Sequence, residues 1–226
     1  MQKSQFRELV EQIVKQHFSI KKAKAANDFS LKLLDKIKNE FNSILKYDPN
    51  VILTGEVSFD IPELKVIIIF WDLPKDFGKY DNKTNTLTIY LEHVKTIFEQ
   101  EVMDELLHHE ILHYYRIRVE KISPIYDYDP NTIETDPKSY YNSEDEIYQY
   151  YRQMAHYFLN ALKDLNIKAF GGKFTKDTLI NNYFDTVFDT CTTIFTQPFY
   201  SVLSNLTTEN LHYVKTGVRK YIETYL

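Results

Sequence analysis

The stretch DELLHHEILHYYR, Asp104 to Arg116, sets three histidines within six residues and places Glu110 among them. It holds neither Pro nor Gly and lies in a segment, Val94 to about Val119, whose apolar residues recur at helical intervals. That pattern predicts a helix. His109, Glu110, Ile111, Leu112 and His113 spell HExxH. Residues four apart on a helix stand one turn apart on one face, so both imidazoles can reach a single ion. Glu110 is turned about 100° from His109, close to that ion without being forced to ligate it. A carboxylate there can take a proton from a zinc-activated water, whose pKa the ion lowers toward about 7, while the ion polarises the carbonyl under attack. HExxH on a helix therefore reads as metal-assisted amide hydrolysis. The bland alternative is a histidine-rich helix facing solvent or a partner.

The residues before this helix follow a different period. VILTGEVSF, LKVIIIFW and NTLTIYL are short, rich in β-branched or aromatic residues, and separated by DIPE and DLPKDFGKYDNKTN. They predict three strands joined by turns. Further upstream, Phe6, Leu9, Val10, Ile13 and Val14 mark one amphipathic helix. Phe29, Leu33, Leu34, Ile37, Phe41, Ile44 and Leu45 mark a second, beginning near Asn27 and stopping before the turn signal YDPN. Downstream, KISPIYDYDPNTIETDPKSYYNSEDE contains three prolines and predicts a long loop of the kind that carries function or flexibility. From near Ser143 a helix carries Ile147, Tyr151, Met154, Phe158, Leu162 and Leu165 until FGGKFT breaks it. One or two further helices complete the chain. The expected organisation is one α+β domain over 1–226, with N-terminal helices over 1–47, the sheet, HExxH helix and following helix over 48–166, and C-terminal helices over 167–226.

Composition narrows the class. The 226 residues are 43% hydrophobic and 26% charged, enough for a core of their own. A net charge of −5 supplies no basic footprint, which argues against nucleic acid as a partner. Cys191 stands alone, so no intrachain disulfide can form; a small buried hydrophobe is expected there. The N-terminus lacks a signal-peptide core, and the longest apolar run, VIIIFW over Val66 to Trp71, is far too short to span a bilayer. A cytoplasmic protein without a membrane partner is expected.

The strands from Val51 to Leu91, the HExxH helix and the later helix opening on acidic residues together resemble the zincin metallopeptidases. The resemblance implies an HExxH helix packed against a small, mostly antiparallel sheet whose edge strand, here NTLTIYL, borders the substrate. It implies one Zn2+ per chain held by His109 and His113, Glu110 as general base, and a protein or peptide substrate held by strand addition. Arg116 and Ile117 stand where the Gly and His of an extended HExxHxxGxxH motif would begin to show, which sets metzincins aside. The third ligand would then be a carboxylate on a later helix, as in gluzincins and the compact ImmA/IrrE-like peptidases. YYNSEDEIYQYYRQMAHYF is its source, and the E-I-x-x-Y within it is similar to the ligand helix of those proteins, which points to Glu146. The small residue usual three positions after that ligand is Gln149 here.

Periodicity keeps Glu144 in competition. With Ile147, Tyr151, Met154 and Phe158 as the buried face, Glu144 lies about 50° from its centre and Glu146 about 110°. Ser143 to Glu146 also fits a capping box, in which Glu146 would bond the Ser143 N–H. His108 faces about 100° away from His109 and is expected at the surface or in support. His156 is expected as an ordinary helix residue, and His17, His93 and His212 are remote in sequence. Tyr126, Tyr128, Tyr140 and Tyr141 bracket the loop before the ligand helix, where a tyrosine can stabilise an oxyanion. The expected function is zinc-dependent peptide hydrolysis. One alternative is a catalytically inactive zincin-derived binding or assembly protein, against which Glu110 speaks. Another is a metal-dependent nuclease, which lacks the basic surface signal. Nothing in the residues fixes an oligomeric state.

Overall fold

The computed structural model describes residues 19–48, 55–71, 77–92, 100–123, 136–193 and 199–226. The chain divides into two compact units, one spanning Ala26–Pro124 and the other built from the segments flanking it. Each has its own hydrophobic core. The first expected helix, Phe6 to Val14, lies outside the described residues.

The Ala26–Pro124 unit contains most of helix α1 (Ile20–Tyr47), four strands and helix α2 (Gln100–Tyr114). On α1, Leu33, Leu34, Ile37 and Phe41 recur at helical spacing and enter the core. Strand β1 (Glu56–Asp60) alternates strictly, with Val57 and Phe59 inward. In β2 (Lys65–Trp71) Val66, Ile68 and Phe70 point inward, and in β4 (Thr86–Glu92) Leu87, Ile89 and Leu91 do the same. Strand β3 (Phe77–Asp81) contributes Tyr80. The sheet order is β1-β2-β4-β3, with β1–β2 and β3–β4 antiparallel and the central pair β2–β4 parallel. The sheet is therefore mixed. Helix α2 lays Leu107, Ile111 and Tyr114, spaced four and three residues apart, into the same core.

Two sequence expectations change here. FGKYD, read as part of a turn, forms β3. NTLTIYL, read as the edge strand, is internal, because β4 is paired on one side by β2 and on the other by β3. The hairpin that makes this possible turns over Asn82–Asn85. Asp81 accepts the Lys83 N–H at 2.8 Å and the Thr84 hydroxyl at 2.9 Å, and Asn85 takes a left-handed φ of 54°. Asn tolerates that conformation better than most residues.

The second unit is helical. A short helix α3 (Pro137–Tyr141) precedes α4 (Glu144–Phe170), which ends at Gly171 in the left-handed conformation. The chain continues through α5 (Lys176–Leu179), a π-helical turn over Ile180–Phe184, α6 (Asp185–Thr193), α7 (Tyr200–Leu203) and α8 (Thr208–Tyr225). Tyr151, Met154, Phe158 and Leu162 of α4 meet Phe184, Phe188, Val214, Val218 and Tyr221 in one core, and Cys191 is buried among them. One side-chain amide joins the two helix junctions. Asn142 Nδ2 donates to the Lys138 carbonyl at 2.7 Å and the Asn205 carbonyl at 2.8 Å, while its Oδ1 accepts the Thr207 N–H at 2.8 Å and Asn210 Nδ2 at 2.9 Å. Among the described residues no helix is long and apolar enough to cross a membrane.

Helices α4 and α8 pack closely at Gly217, where an added Cβ would lie 2.8 Å from Tyr151 Cε2. Gly217→Ala should therefore destabilise the protein by about 1–3 kcal/mol through overpacking. Thermal unfolding followed by circular dichroism would show a melting temperature several degrees lower, and an unchanged midpoint would mean that the contact yields freely.

Candidate metal centre

The centre begins with the periodicity of α2. Leu107, Ile111 and Tyr114 hold the helix to the sheet core, which fixes the rotation of every other position on it. His109 and His113 fall one turn apart, both buried, with their rings 4.9 Å apart and their Nε2 atoms facing each other at 3.1 Å. Two facing imidazole nitrogens can share a proton, or both can present lone pairs to one cation. A tetrahedral zinc about 2.0–2.1 Å from each nitrogen places its ligand atoms about 3.3 Å apart. The pair fits that spacing as it stands.

Glu146 completes the set. One ligand atom each from His109, His113 and Glu146 lies within 4.8 Å of the others, and all three residues are buried. Two imidazoles and a carboxylate are a donor set of the kind that would hold zinc. The structure brings these three expected ligands together and shows a group able to hold a metal ion. Glu144 is not part of it and is half-buried, whereas Glu146 is 3% exposed.

The capping box is only half formed. Ser143 Oγ accepts the Glu146 N–H at 3.4 Å, but the Ser143 N–H donates to the Tyr140 carbonyl at 3.1 Å. Helix α3 therefore supplies the acceptor that a capping glutamate would otherwise provide. Tyr141, at the end of α3, has its phenol pKa raised, first by burial and then by the charge of Glu146. It is a protonated O–H donor at neutral pH.

Glu110 is buried beside β3. A Cβ added at Gly78 would come within 2.5 Å of Glu110 Cγ, 3.0 Å of its Oε1 and 2.9 Å of Ile89 Cδ1. The edge strand thus passes so close to this carboxylate that only glycine fits. Arg118 anchors that strand from a π-helical turn, Tyr115–Val119, that continues α2. Its Nε donates to the Tyr80 hydroxyl at 2.9 Å and its NH2 group to the Asn82 carbonyl at 2.7 Å. The Tyr80 hydroxyl passes a bond to Asn85 Oδ1 at 2.9 Å, and Asn85 Nδ2 donates to the Glu63 carbonyl at 2.9 Å. Gly78 and Arg118 escaped the sequence reading. The one available signal was a lone glycine, among only five in the chain, between Phe77 and Lys79.

The remaining candidates separate cleanly. His108 is buried and not at the surface: its Nε2 lies 3.2 Å from Asn27 Oδ1 on α1, a bond that ties the two helices. Lys38 to Asp104, at 2.5 Å, ties them again. His156 is half-buried and 2.9 Å from the Asn160 amide, and His212 is exposed. His17, His93, Tyr126 and Tyr128 lie outside the described residues. No family model matches this chain, and no curated protein or solved structure matches it either.

Gly78→Ala should cost about 1–3 kcal/mol of stability, because the new methyl meets Glu110 and Ile89 together. Part of that loss should return when Glu110→Ala is added, leaving a coupling of about 1 kcal/mol in a double-mutant cycle by urea unfolding. Strict additivity would show that Gly78 and Glu110 do not press on each other.

Proposed function

We propose that this protein is a zinc-dependent peptidase in which His109, His113 and Glu146 hold the ion and Glu110 is the general base. The observation that carries the reading is the convergence of three buried ligands drawn from HExxH and a distant glutamate. Zinc, when bound, supplies a Lewis acid that acidifies water and polarises a carbonyl. The chain's own residues do the rest. Glu110 removes a proton from the attacking water on its carboxylate and returns it to the departing amine nitrogen. Burial of Glu110 and its contact with the β3 backbone hold that carboxylate in one place, which favours proton transfer along a fixed path. Tyr141 is a candidate hydrogen-bond donor to charge developing on the acyl oxygen.

The substrate is proposed to be a peptide lying extended along β3. That strand is at the sheet's edge, and its Gly78 touches the proposed base. Backbone pairing with an edge strand gives affinity largely independent of side-chain identity. In this reading β3 takes the place that the sequence alone assigned to NTLTIYL.

Metal analysis of the purified chain should find one zinc per molecule. Glu110→Gln should keep that zinc and lose hydrolysis of a peptide library. Glu146→Ala should lower occupancy sharply while Glu144→Ala retains it. Chelation should lower the melting temperature, since an ion held at a thousandfold over Kd contributes about 4 kcal/mol to the folded state. Full occupancy in Glu146→Ala, or loss of zinc in Glu110→Gln with the fold intact, would overturn the assignment.

A further inference from the structure

The two faces of strand β3 meet different surroundings. A Cβ added at Gly78 would meet Glu110 and Ile89, and Tyr80 lies in the core, so both positions point to the α2 side of the sheet. Side chains alternate along a strand, which sends Lys79 to the opposite face. Lys79 is exposed there and makes no ion pair among the described residues. Its row across the sheet is neutral: Lys79 stands opposite Thr88 of β4, Thr88 opposite Ile67 of β2, and Ile67 opposite Ser58 of β1. Asp81, two residues along on the same face, is committed to the hairpin, where it accepts the Lys83 N–H at 2.8 Å and the Thr84 hydroxyl at 2.9 Å. Its pKa is lowered first by the bond from Lys83 and least by the charge of Lys79.

Among the described residues β3 is paired on its β4 side alone. Its other side is where a countercharge for Lys79 can stand. Side chains directly opposite each other on paired strands have their Cβ atoms about 4.5–5.5 Å apart, close enough for opposite charges to attract and like charges to repel. We propose that Lys79 selects the substrate: a peptide paired with β3 carries Asp or Glu opposite Lys79, next in sequence to the residue opposite Gly78. This rests on the reading that the substrate lies along β3, and it adds a substrate class, acidic peptides. Lys79 stands on the face away from Glu110, so it acts on binding and leaves the proton path alone. A lysine on an edge strand also discourages indiscriminate pairing, a role that experiment separates from selection.

The test uses the full chain with zinc and a set of capped alanine and threonine peptides in which one Asp, Asn or Lys is moved through the central positions. Cleavage gives kcat and KM, and fluorescence anisotropy with the Glu110→Gln chain gives affinity without turnover. At low salt the best-placed Asp peptide should be favoured about twofold to fivefold over its Asn counterpart, in KM and in affinity. That advantage should shrink at about 0.5 M salt, because the pair is exposed. Lys79→Glu should reverse the order, so that Lys is preferred over Asp at the same position. If Lys79→Glu fails to fold, Lys79→Gln should erase the Asp preference. An Asp preference that survives either substitution overturns the inference and leaves Lys79 a guard of the edge. So does a lack of any charge preference in an unmodified chain that still binds the peptides. If no peptide of the set is bound or cleaved, the reading of β3 as the substrate strand fails first and this inference falls with it.

Discussion

Two histidines buried one helical turn apart, with facing nitrogens at 3.1 Å, are the constraint from which the rest of the site follows. Imidazoles are polar, and burying two of them side by side is unfavourable unless each finds a defined partner. Their rotation must therefore be held against alternatives. Leu107, Ile111 and Tyr114 provide that hold by locking α2 onto the sheet, and His108 with Asn27 and Asp104 with Lys38 hold it against α1. The helix is pinned on two sides before any ion is considered. Such a pair is preorganised, so little conformational freedom is lost when a cation arrives.

The sheet serves the same end by a different route. Because β2 and β4 run parallel, the chain must cross over between them, and β3 is laid outside β4 on the way. This puts an edge strand with a glycine against Glu110. Arg118 then closes the arrangement by gripping Tyr80 and the Asn82 carbonyl from the far end of the HExxH helix. The helix that carries the histidines also holds the strand that confines the carboxylate. Loosening one end of α2 therefore disturbs both.

How legible this was depended on how local the determinant is. HExxH on a helix could be read directly, since the i, i+4 relation needs only one element. The core face of α1 was visible for the same reason, and β1, β2 and β4 were visible as short β-branched or aromatic runs, although the unbroken apolar run of β2 left its inward face unmarked. Strand β3 was hidden because FGKYD has one core anchor with described burial, Tyr80, and owes its extended state to pairing with β4 across the Asn82–Asn85 turn and to Arg118, which is remote in sequence. Between Glu144 and Glu146, periodicity set Glu144 nearer the buried face, whereas it is Glu146 that groups with His109 and His113. It assumed one buried face, whereas the first half of α4 also buries Asp145, Glu146, Tyr148, Gln149, Arg152 and Gln153. The centre of an apolar stripe does not mark the limit of burial when a polar stripe is buried beside it. The capping ambiguity resolved through the Tyr140 carbonyl, an acceptor that no propensity rule could supply.

Asn142 has a consequence for how this chain can change over time. Its amide is a two-ended connector, giving both hydrogens to carbonyls and taking two donors on its oxygen. Aspartate preserves the shape but turns the donating end into an acceptor facing two carbonyl oxygens. Leucine preserves the volume and satisfies neither end, and glutamine has the right polarity but an extra methylene. Each one-residue replacement strands at least one partner. The slow spontaneous hydrolysis of asparagine amides would make the same exchange without any mutation. The four bonds on the Asn142 amide and the Ser143 N–H held by the Tyr140 carbonyl restrain the attack of the following nitrogen that starts this reaction, so the folded junction guards its own asparagine against ageing.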